Sequence, residues 1–147
     1  KIGNRIYGCD TCQTVCPKNK GKFNMHQLDF QPDPEIAKPL LLPLLKMSNK
    51  EFKTKFGHVS GSWRGKKPIQ RNAILALAHF KEESSIPDLI DLLVNDERPV
   101  IRGTAAWAIG KIGTKEGRAA LHQAVVTETD AEVVEEIHKG LAFQTVN

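Results

Sequence analysis

Small and apolar side chains recur along the second half of the chain with a fixed repeat length. The positions that coincide after successive shifts of 32 residues are Ala73, Ala105 and Ile137; Ala76, Ala108 and Gly140; and Leu77, Ile109 and Leu141. Within each block the spacing is i, i+3, i+4, which places the side chains on one face of a helix. A fixed repeat of two-helix units is typical of an α-solenoid. The pattern predicts helices at about 68–80, 86–94, 99–112, 115–126 and 131–142; an ordinary helical bundle is the alternative.

Prolines, a serine and a glycine mark the ends of these helices. Pro68 and Pro99 stand where a first helical turn tolerates a missing N–H. Ser85 is predicted to cap the helix that follows it, and Gly113 comes after Lys111-Ile112, as a glycine at a helix C-terminus does. The repeats are therefore bounded by local signals that agree with the periodicity.

The stretch before the repeats is broken by prolines and predicts loops with one or two short helices. Ser48 and Glu51 form a capping-box pattern, which predicts a helix over about 49–56 that Gly57 ends. The following segment, 61–67, is expected to be a loop. The expected organisation is a cysteine segment at 1–22, a linker at 23–67 and helical repeats at 68–147. The fold class is mainly α: a ferredoxin-like cysteine segment followed by a short HEAT-like solenoid.

Composition and charge exclude a membrane protein but do not identify the class of binding partner. The net charge is +4, which is too small to indicate a nucleic-acid partner without a local concentration of charge. No apolar run approaches the roughly 20 residues that span a bilayer. We therefore expect a cytoplasmic, monomeric protein without membrane contact.

All cysteines of the chain lie close together near its start. Cys9, Cys12 and Cys16 have the spacing C-x2-C-x3-C, and Pro17 follows the last one. Bacterial ferredoxins carry C-x2-C-x2-C-x3-C-P, whose fourth cysteine ligates the other cluster. By analogy, Cys9 and Cys12 bind one [4Fe–4S] cluster and Cys16 binds a second. Each cluster needs four ligands, so we expect the other cysteines upstream of Lys1.

A zinc site is the alternative for these thiols. His26 follows the three cysteines, and together they could form a Cys3His site. The Cys-Pro ending has no role in zinc binding, so the ferredoxin interpretation is favoured.

A basic segment lies just before the repeats. Between residues 53 and 71 the chain has six Lys and Arg residues and no acidic residue, and Trp63 stands among them. Positive charge beside an aromatic ring suits phosphate contact together with stacking on an unpaired base. The predicted nucleic-acid contacts are Trp63, Arg64, Lys66, Lys67, Arg71 and Arg102. The alternative is a solvated loop in which Trp63 packs on the core.

Two interpretations of Arg102 are open. It could reach a phosphate or pair internally with Asp96 or Glu97. The last repeat is acidic and would repel nucleic acid, so we expect it to be a solvated cap.

Together, four stretches resemble the epoxyqueuosine reductase family. They are Ile6–Pro17 with its cysteines, Phe30-Gln31-Pro32, Gly61–Ala73 with the basic segment, and Val100–Gly113 in the repeat. They occur in the family's order and cover most of the chain. The resemblance implies the C-terminal part of an enzyme that reduces the epoxide of epoxyqueuosine in the wobble position of tRNA.

The resemblance also implies cofactors and partners. These are two [4Fe–4S] clusters, cobalamin bound mainly by upstream residues, the tRNA anticodon stem-loop, and an electron donor such as a flavodoxin or ferredoxin. No residue here is predicted to be catalytic, and this part alone is expected to be inactive. Two other functions remain open: a non-catalytic protein-binding module with a zinc site, and an electron carrier fused to a docking repeat.

Overall fold

The structure is a computed structural model that describes residues 4–22 and 31–143. The regular secondary structure of these residues is helical, and the fold is mainly α and HEAT-like, as the sequence predicts. The helices are α1 Thr11–Val15, α2 Pro34–Ala37, α3 Leu41–Lys46, α4 Asn49–Phe56, α5 Lys66–Phe80, α6 Ile86–Asn95, α7 Pro99–Ile112, α8 Lys115–Thr127 and α9 Ala131–Ala142. Two short 3-10 segments, Ser60–Arg64 and Glu83–Ser85, precede α5 and α6.

The five predicted repeat helices are confirmed, because each observed boundary lies within two residues of its expected position. Pro99 occupies the first turn of α7, and Gly113 ends that helix with a φ of 87°, in the left-handed region that favours glycine. The predicted capping box is also present. Ser48 Oγ accepts from the Glu51 N–H over 3.2 Å, and Glu51 Oε2 accepts from the Ser48 N–H over 2.7 Å.

Two local predictions were wrong. Ser85 does not cap α6 with its side chain, because its hydroxyl donates to the Glu82 carbonyl over 2.6 Å. The stretch expected to be a loop at 61–67 is mostly ordered: Ser60–Arg64 forms a 3-10 turn, and α5 already begins at Lys66. The turn closes on itself because the Gly65 N–H donates to the Ser62 carbonyl over 2.8 Å.

Helix α7 is the centre of the fold. It contacts α5 and α9 on either side and α6 and α8 behind, which gives two layers of helices. Its buried side chains are mostly small, so the neighbouring backbones can approach closely. The closest approach is to α9, where a Cβ on Gly110 would lie 2.3 Å from the Gly140 Cα.

One hydrophobic core runs from α3 to α9. It includes Leu44 and Leu45 of α3, the buried faces of the repeat helices, and Ile137 of α9. A buried amide joins these parts: Gln70 Nε2 donates to the Leu45 carbonyl over 2.8 Å, and Gln70 Oε1 accepts from Arg98 over 2.8 Å. Because a buried amide must find partners for both ends, this pair of bonds fixes α3 against α5 and the start of α7. The predicted division of the chain into a cysteine segment, a linker and helical repeats, with boundaries at residues 22 and 67, stays a prediction.

Within residues 4–22 and 31–143, the structure contains no helix that is both long and apolar enough to cross a membrane.

Candidate functional site

The three cysteines lie around the short helix α1. Cys9 precedes the helix, Cys12 is in its first turn, and Cys16 is the residue at its C-terminal end. All three thiols are free, and those of Cys9 and Cys12 are exposed, while Cys16 is half-buried. A tight turn at Asp10, with a φ of 45°, brings the chain from Cys9 into the helix. Soft thiol ligands in an open loop fit iron–sulfur or zinc binding.

Neighbouring groups stabilise the thiolate form of Cys9. Its sulfur lies 3.0 Å from the Thr11 hydroxyl, and Arg5 Nη2 donates to the same hydroxyl over 3.3 Å. The hydrogen bond from the Thr11 side chain lowers the pKa of Cys9, and the Thr11 backbone and the charge of Arg5 add to this effect. Since metals bind the thiolate, this environment suits a ligand.

The three thiols do not converge on one point. In the described parts of the chain, no group of three His, Cys, Asp or Glu side chains is close enough to hold a single metal ion. His26, the fourth ligand of the zinc alternative, lies outside the described residues.

The cysteine segment, residues 4–22, contacts the helical unit through the half-buried Ile6, which packs against the core, and through two further contacts. Asn72 of α5 donates through Nδ2 to the Ile6 carbonyl over 2.8 Å. The Tyr7 ring packs on Gly61, where a Cβ would lie 2.8 Å from the ring. Because Gly61 belongs to the 3-10 turn that also carries Trp63, the cysteine segment and the basic segment are neighbours in space. Sequence spacing alone gave no sign of this junction.

Trp63 is exposed, which contradicts the alternative that it packs on the core. Its side chain keeps 78% of its surface accessible, and the Arg64 guanidinium carbon lies 5.4 Å from the ring centroid. The ring and the cation beside it are therefore accessible from solvent. Stacking on an unpaired base is one role that such a ring can take.

The predicted basic residues around Trp63 differ in their exposure to solvent and in their contacts with the rest of the protein. Lys66 is bound within the protein, because its ammonium donates to the Met47 carbonyl over 2.7 Å. Burial lowers the pKa of Lys66, and the nearby charge of Arg98 adds to this effect. Lys67 is exposed on the first turn of α5. Arg71 is half-buried and lines a cleft of about 470 Å³ between α5, α7 and α9. The far wall of that cleft is acidic, with Glu132, Glu135 and Glu136 on α9.

Arg102 pairs internally, but with a different carboxylate from the one expected. Its guanidinium contacts Glu128 over 2.7 and 2.9 Å and also donates to the Asp96 carbonyl over 3.0 Å. Hydrogen bonding from Arg102 lowers the pKa of Glu128 to about 2, and the N–H groups of Asp130 and Thr129 contribute. The pair is shielded, with 15% and 9% of the two side chains exposed. The expected partners had been Asp96 and Glu97, which are nearer in sequence.

A basic cleft at the other end of α5 was not predicted from the sequence. Lys81 follows α5, Lys111 lies in the last turn of α7, and Lys115 and Arg118 lie near the start of α8. All four line one cleft of about 360 Å³. They are dispersed among acidic residues along the chain, so no local charge run announces them. Only the i, i+3 spacing of Lys115 and Arg118 places two of them on one face in advance.

Comparison with known proteins supports the geometry. A family model described as HEAT repeats matches residues 64–142. The epoxyqueuosine reductase of Bacillus subtilis is 68% identical over 142 residues, which are 96% of this chain and 36% of that protein. A crystal structure of epoxyqueuosine reductase with an epoxyqueuosine-modified tRNA-Tyr stem loop is 65% identical, with a TM-score of 0.92, over 99% of this chain and 39% of the other.

A more distant structure has the same fold. The epoxyqueuosine reductase of Streptococcus thermophilus is 37% identical with a TM-score of 0.83, over 99% of this chain and 38% of that one. The chain thus spans somewhat more than a third of the length of these relatives. The resemblance expected from the sequence is confirmed: the chain belongs to the HEAT-repeat family and matches the C-terminal portion of the epoxyqueuosine reductases.

Proposed function

We propose that this chain is the C-terminal portion of an enzyme that reduces epoxyqueuosine to queuosine in tRNA. Its share is to contribute iron–sulfur ligands and to bind the anticodon stem-loop. The observation that carries the proposal is the match, at 65% identity over 99% of the chain, to an epoxyqueuosine reductase crystallised with a modified tRNA stem loop. Two local features support it independently: the exposed aromatic ring in a basic segment and the cluster-type cysteine spacing.

In this proposal the RNA contact is centred on Trp63. The exposed ring offers a face on which an unpaired base can stack, and Arg64 beside it supplies charge for a phosphate. Lys67 and Arg71 continue the positive surface along α5, one turn apart. Lys66 and Arg102 were also predicted contacts, but their bonds to Met47 and Glu128 give them a supporting role, because these bonds fix the segment and the start of α7.

The cysteine segment is proposed to complete two clusters. Cys9 and Cys12 would ligate one [4Fe–4S] cluster and Cys16 the other, with the remaining ligands contributed from elsewhere in the protein. When bound, such clusters carry electrons. The spacing C-x2-C-x3-C-P supports this division. The contact of Tyr7 with Gly61 then holds the electron-transfer segment beside the RNA-binding turn.

The remaining partners follow from the family alone. Cobalamin would bind mainly to other parts of the protein, and a flavodoxin or ferredoxin would deliver electrons in the cytoplasm. We assign neither a cobalamin contact nor a proton donor to any residue of this chain. The surrounding protein's task is to orient the cofactor and the substrate, while the cofactor performs the difficult chemistry.

The RNA role is tested with Trp63→Ala and Lys67→Gln in the complete protein. Each should weaken binding of the anticodon stem-loop, by about 1–3 kcal/mol for the lost stacking at Trp63. Lys67→Gln should also reduce the slope of log affinity against log salt by somewhat less than one. Lys50→Gln, an exposed change on α4, is the matched control. Wild-type affinity in both test variants would rule out this segment as the RNA contact.

The cluster role is tested by metal analysis of the complete protein purified without oxygen. The expected result is iron with sulfide and broad visible absorption, and selective loss of one cluster's paramagnetic signal in Cys12→Ser and of the other's in Cys16→Ser. Stoichiometric zinc in a colourless protein would instead support the zinc-bearing protein-binding module. Intact clusters without any affinity for the stem-loop would favour the electron carrier with a docking repeat.

A further inference from the structure

The sulfur of Cys9 belongs to a small hydrogen-bonding network at the start of α1. Its partner is the Thr11 hydroxyl, 3.0 Å away, and Arg5 Nη2 donates to that same hydroxyl over 3.3 Å. All three residues are exposed, so the packing of the core does not require this arrangement. Among residues 4–22 and 31–143, no side chain forms a hydrogen bond with the sulfur of Cys12 or Cys16. The network therefore distinguishes Cys9 from the other two cysteines.

The direction of the hydrogen bond follows once the Cys9 sulfur ligates iron. A ligating cysteine is a thiolate and has no proton to donate, so the Thr11 hydroxyl must be the donor. This hydroxyl has a single hydrogen, and its oxygen already accepts from Arg5, which leaves the hydrogen for Cys9. The Cys9 carbonyl, 3.3 Å from the hydroxyl oxygen, is the competing acceptor. The sulfur is closer and, as a thiolate, negatively charged, and both properties favour it.

A hydrogen bond to a ligating sulfur stabilises the reduced form of an iron–sulfur cluster more than the oxidised form. Reduction adds one electron and increases the negative charge on the sulfur, so the bond is stronger in the reduced state. Hydrogen bonds to the sulfurs and the charges near a cluster are among the factors that set its reduction potential. The Thr11 hydroxyl and the positive charge of Arg5 both act to raise the potential, whereas the negative charge of Asp10 acts to lower it.

We infer that Thr11, oriented by Arg5, raises the reduction potential of the cluster that Cys9 ligates by donating a hydrogen bond to the Cys9 sulfur. The free and exposed thiol of Cys9 suits a cluster ligand. The inference rests on the proposed function, since it needs a cluster at Cys9. It goes further, because it assigns control of electron transfer to two positioning residues that do not ligate the metal.

A purely structural role for Thr11 leads to a different expectation. Thr11 is the first residue of α1, and its hydroxyl also reaches the Cys9 carbonyl, so the side chain contributes to the turn before the helix. If that were its whole role, removing the hydroxyl would lower the amount of cluster bound without changing the potential of the cluster that remains. The reduction potential therefore separates the two roles.

The test compares Thr11→Val with Thr14→Val in the complete protein, purified without oxygen. Both changes remove one hydroxyl from α1, but the Thr14 hydroxyl donates to the Asp10 carbonyl over 2.9 Å instead of a sulfur. A redox titration that follows the paramagnetic signal lost in Cys12→Ser measures the potential of this cluster. At the wild-type midpoint, Thr11→Val should lower the ratio of reduced to oxidised cluster about fivefold. This corresponds to about 40 mV, because a tenfold change in a one-electron couple is about 59 mV.

Other measurements should leave the potential unchanged or move it less. Thr14→Val should titrate as the wild type does, Thr11→Ser should restore the wild-type potential, and the second cluster should be unaffected in every variant. Arg5→Gln should lower the same ratio about twofold, since it removes both a charge and the bond that orients the hydroxyl. Its effect and that of Thr11→Val should be less than additive, because the two residues share one network.

The outcomes separate this inference from the proposed function. A wild-type potential in Thr11→Val with both clusters intact overturns the inference and leaves the proposed function standing. Equal shifts in Thr11→Val and Thr14→Val also overturn it, because the stability of α1 and not the hydrogen bond would then set the potential. If Thr11→Val loses its cluster, Arg5→Gln decides, and a wild-type potential there counts against the inference. A wild-type protein without an iron–sulfur cluster at Cys9 contradicts the proposed function itself.

Discussion

The cysteine segment and the helical unit are held in place by different kinds of interaction. Helices α5 to α9 share a core of fully buried aliphatic side chains, including Ile74, Leu89, Ile101, Ile109 and Ile137. In the cysteine segment, by contrast, α1 buries no residue, and only Ile6 and Cys16 are half-buried. The comparison shows that a short segment without a core of its own is held in place by a few specific contacts with the helical unit.

This difference suits the two proposed tasks. A rigid solenoid can hold the rings and charges of an RNA-binding surface at fixed spacing, because each repeat packs on its neighbours. A cysteine loop must instead leave its thiols accessible for cluster ligation. If the two regions are independent, changes inside the helical unit should alter global stability, and a change at their junction should act mainly on the cysteine segment.

The largest expected effect is on the close approach of α7 and α9. Gly110→Ala places a methyl group 2.3 Å from the Gly140 Cα, so the two helices must separate. We expect a loss of about 3 kcal/mol in the free energy of unfolding of the complete protein, measured by urea denaturation.

Gly103→Ala in the same helix is the matched control. A Cβ there meets the Glu136 side chain at 3.5 Å, an ordinary contact, so the substitution should stabilise α7 by about 0.5–1 kcal/mol. Equal destabilisation by both changes would contradict the close-packing explanation and point to a general intolerance of α7 to larger side chains.

The next effect concerns the shielded ion pair between Arg102 and Glu128. Arg102→Ala leaves the Glu128 carboxylate shielded without its main partner, and should cost about 2 kcal/mol of unfolding free energy at neutral pH. Lys139→Ala, which breaks two solvent-accessible ion pairs, with Glu135 and Glu136, should cost much less.

The pH dependence sharpens this test. The folded-state pKa of Glu128 is about 2, below its ordinary value of 4.5, so the unfolded state binds the proton more readily. The pair's contribution is therefore complete above about pH 4.5 and is lost as the pH falls towards 2. Arg102→Ala should flatten this part of the stability curve; an unchanged slope in that variant would contradict the role of Arg102.

The smallest global effect is expected at the junction of the two regions. Asn72→Ala removes the hydrogen bond to the Ile6 carbonyl, worth about 1 kcal/mol. Because residues 4–22 contribute no buried residue to the core, the loss should appear as faster proteolysis and hydrogen exchange of this segment, with little change in the melting of α5 to α9. Gly61→Val should have the same effect by displacing Tyr7. Loss of the whole fold in either variant would show that the regions are not independent.

Periodicity and end signals predicted most of the fold. The recurrence of small and apolar residues gave the repeat helices, since one buried face per helix leaves a 3.6-residue pattern whatever the neighbours are. The capping box at Ser48 and the glycine at 113 gave helix ends because these bonds are local. Ser85 misled the prediction, since its hydroxyl had a competing acceptor in the preceding turn.

The candidate site was predicted only in part. The cysteine spacing and the basic segment around Trp63 are readable because their residues are consecutive. The exposure of Trp63 depends on which groups come near it in space, and so do the hydrogen bonds of Lys66 and Arg102. Glu128, the partner of Arg102, lies 26 residues away along the chain. No spacing rule links partners at that distance.

The sequence by itself determined the class of fold, the kind of ligand that the cysteines suit and the resemblance to a family, because each is recorded in local order and periodicity. Only the tertiary structure decided which charges are free. It paired Arg102 with Glu128, set Tyr7 on Gly61, and gathered Lys81, Lys111, Lys115 and Arg118 into one cleft. The physical reason is that electrostatic interactions depend on distance in space, and helix packing brings together residues that the chain keeps far apart.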